Sequence, residues 1–280
     1  MKVQVPERMA PEGPPSAYEA DLAFAASLAR TAGRLVMDRY ERVERVDYKS
    51  ARDIVTEVDH LSEELIIEAI RKRFPEDAIL AEESGEHATG GGDAPTSGRG
   101  RVWIIDPIDG TINYANGIPF FCISIGLAED GRPVVGVVLD PTRNELFAAT
   151  ADGPATLNER VVAASDKDKL SDFVIQMALS GRAAATRSRT VRKEIRISRS
   201  MGSSALALAY VANGRFDAFV QQGGMSNWDV AAAGLIAQRA GATVTATDGG
   251  PWFDLGRKSR AVSAVAAPAA HHARILDLIR

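Results

Sequence analysis

The stretch WIIDPIDGTINY, Trp103 to Tyr114, decides how this chain is read. An apolar run leads straight into two aspartates three apart, Asp106 and Asp109, with Pro107 between them and Gly110-Thr111 directly after. The run has the composition of a buried strand. Pro107 locks one backbone dihedral, so the two carboxylates and the Ile108 carbonyl between them can hold a fixed relative geometry at the strand exit. Carboxylates plus a carbonyl are hard oxygen donors suited to Mg²⁺ or Mn²⁺. The same residues are also good turn chemistry, and taken alone the segment leaves a structural turn and a metal site level. Gly110 permits close backbone approach. Thr111 begins a stretch, TINYANG, able to open a short helix whose exposed N–H groups would receive a phosphate. A metal pair beside an anion cradle is the layout that phosphoryl transfer requires.

Outward from this segment the chain reads as a mixed α and β protein. Upstream, Leu22, Ala25, Leu28, Ala29, Ala32, Leu35 and Val36 recur at helical spacing and predict a helix ending near Tyr40. Val58, Leu61, Leu65, Ile66, Ala69 and Ile70 predict a second, with Thr56 as N-cap and Phe74-Pro75 as its stop. AILAEES (Ala78 to Ser84) reads as a short strand. EHATGGGDAPTSGRG (Glu86 to Gly100) reads as a mobile polar loop, too poor in apolar residues to pack. Downstream, Asp130-Gly131 and Pro141 to Asn144 punctuate apolar and β-branched runs as a meander of strands would. From about Leu170 strands alternate with alanine-rich helices closed by Gly214 and Gly241, which predicts an α/β layer. The domain reading is a disordered tail over 1–16, an N-terminal α+β half over 17–155 and a C-terminal α/β half over 156–280.

Composition bounds the function. The 280 residues, 45% hydrophobic and 25% charged, suffice for one large domain or two smaller ones with a substantial core. A net charge of -4 gives no global basic field and speaks against nucleic acid as a partner. No apolar run is long enough to span a bilayer. The proline-rich start, MKVQVPERMAPEGPPSAYEA, lacks the apolar core of a signal peptide, so a cytoplasmic location is expected. The single cysteine, Cys122, lies in the apolar run IPFFCISIGL and reads as a buried inert thiol. There is no GxxxxGK[ST], GxGxxG, GxSxG or HExxH motif. The four histidines, His60, His87, His271 and His272, read as solvated or packed side chains rather than zinc ligands.

Other acids suit oxygen chemistry, each with a structural alternative. Glu82 and Glu83 stand at a strand end, where paired carboxylates repel unless a cation compensates; a solvent-facing strand end explains them as well. Asp229 follows Trp228 at a helix start, where it would also favour the helix dipole. Asp59 closes TEVD (Thr56 to Asp59), which has the spacing of a capping box and leaves a structural and a catalytic role open together.

DIVTEVD (Asp53 to Asp59), AEES (Ala81 to Ser84), WIIDPIDGTINY and NWDVAAAG (Asn227 to Gly234), in this order and spacing, resemble the inositol monophosphatase family of Mg²⁺-dependent, lithium-sensitive phosphatases. The resemblance spans nearly the whole chain and implies a layered αβαβα sandwich of the sugar-phosphatase type. It implies metal ligation by Glu82, Asp106, the Ile108 carbonyl, Asp109 and Asp229, with Asp106 bridging, and two or three Mg²⁺ per site or Mn²⁺ in their place. Glu82, Asp59 and Thr111 would be catalytic, the last two orienting or deprotonating the attacking water. Backbone at Gly110 and Thr111 would hold the phosphate. A homodimer is also implied.

Substrate choice is less defined. MGSSA (Met201 to Ala205) occupies the place of a substrate-contacting segment, which assigns Gly202 and Ser203 to the substrate. Gln221 stands where the family carries a substrate-binding glutamate, and a neutral amide lacks the charge assistance of a carboxylate. The stretch GRAAATRSRTVRKEIRISRS carries seven cations against Glu194 and reads as a solvated face; alternatively Arg196 or Arg199 reaches a second phosphate bidentately. The leading expectation is hydrolysis of inositol 1-phosphate or a similar polyol phosphate. Fructose 1,6-bisphosphatase is the nearest alternative and histidinol phosphatase the next. From another class, a non-catalytic protein could bind an acidic protein or RNA through the Arg182 to Arg199 face.

Overall fold

The apolar stripe near the N-terminus folds as α1 (Glu19–Asp38), whose inward face is Ala25, Leu28, Ala29, Ala32 and Val36. The computed structural model describes residues 16–43, 45–50, 53–88 and 94–280. Residues 1–15 of the expected tail and 89–93 of the glycine loop therefore lie outside the described residues. A hairpin of β1 (Val46–Ser50) and β2 (Asp53–Thr56) follows, which polar VDYKS concealed. α2 (Glu57–Arg73) begins on the expected cap: Thr56 Oγ1 accepts from Val58 N at 3.2 Å, and Asp59 Oδ2 accepts from Thr56 N at 2.8 Å.

The largest sheet takes in β3 (Ala78–Ala81), β4 (Gly85–His87) and β5 (Arg101–Asp109), and then, beyond the short α3 (Thr111–Ala115), the meander β6 (Cys122–Glu129), β7 (Arg132–Asp140) and β8 (Glu145–Thr150). With β9 (Thr156–Leu157) and β10 (Arg160–Val161) it has eight strands in the order β10-β9-β8-β7-β6-β5-β3-β4. Only β3 and β5 pair in parallel. The sheet thus runs past residue 155, where the two expected halves meet. Part of the loop expected to be unpacked is structured: Gly85–His87 pairs with β3 and Pro95 is buried. Backbone pairing, which needs no apolar side chains, supplies that strand.

The second sheet has the order β12-β11-β13-β15-β14, built from β11 (Val174–Ala178), β12 (Ile197–Arg199), β13 (Ala218–Met225), β14 (Ala242–Thr245) and β15 (Val262–Pro268). Its helices are α4 (Ala184–Glu194), α5 (Ser204–Ala209), α6 (Asn227–Arg239) and α7 (Ala269–Ile279). The arginine-rich stretch, read as a solvated face or a second-phosphate contact, makes both α4 and β12, and α4 is anchored by buried Val191.

Four hydrophobic clusters hold five layers together. α1 and α2 pack on one face of the eight-stranded sheet, α5 and α6 fill the space between the sheets, and α4 and α7 cover the far face of the second. This is the αβαβα sandwich the resemblance implied. α6 lies so close on β7 that a Cβ at Gly136 would stand 2.6 Å from the Ala232 carbonyl oxygen. Only hydrogen fits there. No described helix is long and apolar enough to cross a membrane.

Candidate active site

β5 runs buried from Val102 to Asp109 and ends where its pairing with β6 slips, Asp106 lying opposite Ser124 and Asp109 opposite Cys122. Pro107 sits in that bulge and has no N–H to offer the ladder. One carboxylate oxygen each from Asp106, Asp109 and Asp229 lie within 4.8 Å of one another, the only such group among the described residues. Each aspartate is tied to the chain. Asp106 Oδ1 accepts from Ile108 N at 3.1 Å, Asp109 Oδ2 from Ser203 Oγ at 2.5 Å and Ala205 N at 2.7 Å, and Asp229 Oδ2 from Ser226 N at 2.6 Å. Glu82 stands against Asp106 and makes a carboxyl contact with it.

These acids face a cavity of about 520 Å³ that Glu83, Ile108, Gly110, Thr111 and Gly202 also line. Gly110 takes φ +97°, and a Cβ there would stand 3.1 Å from that of Ser203, so the turn passes closely under α5. Burial holds Asp106 well above the ordinary carboxylate range, and the charges of Glu82, Asp109 and Asp229 push the same way. Asp109 is raised by burial against the bonds from Ser203, Ala205 and Ser204. Asp229 is raised well by burial and by Asp109, with Arg260 opposing. Arg260 is the only lysine or arginine among the described lining residues. A hard divalent cation is what such a donor set accepts: it would remove the mutual repulsion that the folded chain leaves in place.

Asp59 lies on the other side of the turn, fully buried. Its Oδ2 accepts from Thr56 N and, at 2.5 Å, from Thr56 Oγ1, while the Thr111 hydroxyl stands 3.0 Å from Asp59 Oδ1 and 3.0 Å from the Ile108 carbonyl. Burial, the largest cause, pushes Asp59 up to about 6 despite those bonds. Held near 6, the carboxylate meets the cavity only through Thr111.

Among the substrate residues expected from sequence, only Gly110, Thr111 and Gly202 line the cavity. Ser203 is buried behind it, where it caps α5 and donates to Asp109. Gln221 Oε1 accepts from Ser204 Oγ at 3.2 Å, and Arg199 is exposed on edge strand β12, donating to the Ser198 carbonyl; neither is among the lining residues. Arg196 pairs with Asp172 at 2.5 Å instead of turning to the cavity. Cys122 is buried with its thiol pushed well up, an inert group as expected.

Sequence reasoning passed over several residues. His60, Trp228, Ser259 and Arg260 line the cavity. Arg260 sits in a loop with φ +66°, its N–H donating to Ser226 Oγ at 3.0 Å and its carbonyl accepting from Gly224 N at 2.9 Å, an arrangement no local motif announces. Ser62 and Glu63 are buried on α2, and there a signal existed: two polar residues interrupt the stripe of Val58, Ile66 and Ile70.

The comparisons with known proteins agree with this geometry. The model of the inositol monophosphatase family matches residues 18–280. The Escherichia coli protein named Nus factor SuhB is 39% identical over 237 residues, covering 82% of this chain and 86% of its own. A Pasteurella multocida protein of the same name is 39% identical over 238 residues, with the same coverage of 82% and 86%. Among solved structures, an inositol monophosphatase (IMPase) of Thermotoga maritima superposes with TM-score 0.80 at 33% identity, covering 93% of this chain and 96% of that one. The extragenic suppressor protein SuhB of Bartonella henselae gives 0.83 at 31%, covering 93% and 98%.

Proposed function

The chain belongs to the inositol monophosphatase family, and from that premise we propose that it is a Mg²⁺-dependent phosphomonoesterase acting on inositol 1-phosphate or a similar polyol or sugar phosphate. The observation that carries the reading is the convergence of Asp106, Asp109 and Asp229 within 4.8 Å at a cavity that also holds Gly110 and Thr111. Glu82, Asp106, the Ile108 carbonyl, Asp109 and Asp229 would hold the cations. Bound there, a divalent metal lowers the pKa of water and offsets charge on the phosphoryl oxygens, so no side-chain nucleophile is needed.

The chain's own groups do the rest. First-turn amides at Gly110 and Thr111 receive phosphate oxygens, since such N–H groups have no partner within the helix. Thr111 Oγ1 orients the attacking water and passes its proton toward Asp59, whose pKa near 6 suits a base working at neutral pH. Arg260 and Ser259 supply polar contacts on the cavity wall beside Asp229, where the alcohol or a second anionic group of the substrate would meet them. Fructose 1,6-bisphosphate is the nearest alternative substrate and histidinol phosphate the next. Arg196 and Arg199, lying off the cavity, lend the first no support.

A cytoplasmic homodimer completes the reading; exposed Ile118, just beyond α3, offers apolar surface for such a contact. The relatives' name, Nus factor, is not that of a phosphatase, so the expectation that nucleic acid is no partner finds no support in the comparisons. A binding role through the basic Arg182–Arg199 face is compatible with hydrolysis, because that face is apart from the cavity lining. The decisive experiment is phosphate release from a panel of inositol, fructose, histidinol and nucleotide phosphates with Mg²⁺. Release from none of them defeats the enzyme reading.

A further inference from the structure

α2 carries three buried polar side chains on one face, Asp59, Ser62 and Glu63, and each reaches a different segment of the candidate site. Asp59 takes Thr111, as described. Ser62 Oγ donates to the Pro107 carbonyl at 3.3 Å, inside the bulge that separates Asp106 from Asp109. Glu63, only 3% exposed, spends both carboxylate oxygens on one turn: Oε2 accepts from Glu83 N at 2.8 Å and Oε1 from Ser84 N at 2.9 Å. That turn is the one that presents Glu82, whose own N–H donates to the Ile105 carbonyl at 3.2 Å.

We propose that Glu63 is the positioning residue for Glu82: its carboxylate clamps two successive amides and so fixes where the preceding side chain delivers its oxygens in the metal cluster. The assignment rests on the metal-site reading above. A buried carboxylate is stable only where it finds charge-assisted donors, and two amides of one turn supply them. The second clamp on the same turn comes from Ser84 Oγ, 2.6 Å from His87 Nε2, with His87 Nδ1 3.0 Å from Arg71 of α2. Arginine only donates, so His87 Nδ1 accepts and Nε2 carries the proton to Ser84. The histidine is thus a strut rather than a base activating Ser84. Burial and Arg71 lower its pKa, which favours the neutral ring this arrangement requires. One helix sets the register of three segments that ligate or hold the substrate.

The test is Glu63→Gln, which keeps size but can accept from only one of the two amides. Mn²⁺ binding to the metal-depleted protein is followed by electron paramagnetic resonance, and phosphate release is followed at 20 °C over a range of Mg²⁺. Mn²⁺ affinity is expected to fall about tenfold to 100-fold, the usual effect of removing a ligand's support. The rate should recover with excess Mg²⁺, and KM for the phosphate ester at saturating metal should stay within about twofold. A folded Glu63→Gln protein that binds Mn²⁺ like the parent overturns the proposal and leaves the metal site standing. A parent that binds no Mn²⁺ overturns the metal reading and this proposal with it. Should the variant not fold, amide exchange in the parent decides: slow exchange at Glu83 and Ser84 is expected, and exchange as fast as an open turn overturns the clamp.

Discussion

Two helices of this protein begin in the same way, and the proposed function gives them different chemistry. α2 opens on Thr56 with Asp59 at its third position, and α6 opens on Ser226 with Asp229 at its third; each aspartate accepts from the N–H of its cap, at 2.8 Å and 2.6 Å. Asp59 is then sealed by Thr56 Oγ1 and Thr111, outside the cavity wall. Asp229 keeps an oxygen within 4.8 Å of Asp106 and Asp109. The local motif is one and the same, and what tertiary packing puts across from it separates the proposed proton acceptor from the proposed cation ligand. A capping box neither argues for nor against catalysis.

The sharpest way to break this comparison is to neutralise each aspartate in turn. Asp229→Asn should lose Mn²⁺ binding and lower phosphate release by about 10³-fold or more, because charge stabilisation worth several kcal/mol goes with the ligand. Asp59→Asn should keep Mn²⁺ affinity and lower the rate by about 10²-fold, as loss of a positioned base does. Equal Mn²⁺ binding by the two variants would erase the distinction. In the parent, kcat/KM should fall as pH drops through about 6, where Asp59 protonates.

The second test is thermodynamic. Asp59 is raised in the folded state from 3.8 to about 6, so between those values the folded protein binds more protons than the unfolded chain, and stability rises as pH falls. The interval corresponds to ~3 kcal/mol at most. Asp106, Asp109 and Asp229 are displaced in the same direction. Metal-depleted protein should therefore melt higher at pH 5 than at pH 7, with a smaller rise in Asp59→Asn. A lower melting point at pH 5 would show that these carboxylates are not buried as charges.

Smaller effects complete the series. Thr56→Ala should cost about 1 kcal/mol by urea unfolding, because it removes the hydroxyl that caps α2. Arg196→Ala breaks an exposed pair with Asp172 and should change stability by under about 0.5 kcal/mol. Its activity on fructose 1,6-bisphosphate should match the parent, and a selective loss there would bring the basic segment back to the substrate.

Much of the candidate site was legible because its proposed ligands are concentrated in short segments whose order carries the information. WIIDPIDGT holds two aspartates, a carbonyl and a glycine turn within nine residues, and the run Val102 to Ile105 before the first aspartate is apolar throughout. Glu63 and Ser62 were visible only as a breach in an apolar stripe, since their partners lie 20 and 45 residues away. Arg260 reaches the cavity from a loop held by Ser226 and Gly224, a relation of tertiary origin. Ser203 shows the converse: the segment was placed correctly beside the site, but its hydroxyl faces Asp109 rather than the cavity. α4 escaped notice because four cations in eleven residues mask a helix that needs one buried valine to dock.

The close seating of α6 on β7 works as a caliper. Asp229 rides on the first turn of that helix and Asp106 and Asp109 on the neighbouring sheet, so the opening between them is gauged by how nearly Ala232 can approach Gly136. A single methyl added at Gly136 is a spacer placed in a dry seam, remote in sequence from every ligand. Mg²⁺ demands oxygens at about 2.0–2.1 Å and Ca²⁺ takes them at about 2.3–2.6 Å. A glycine that touches none of the proposed ligands thereby helps to set the distance between Asp229 and the two aspartates of β5.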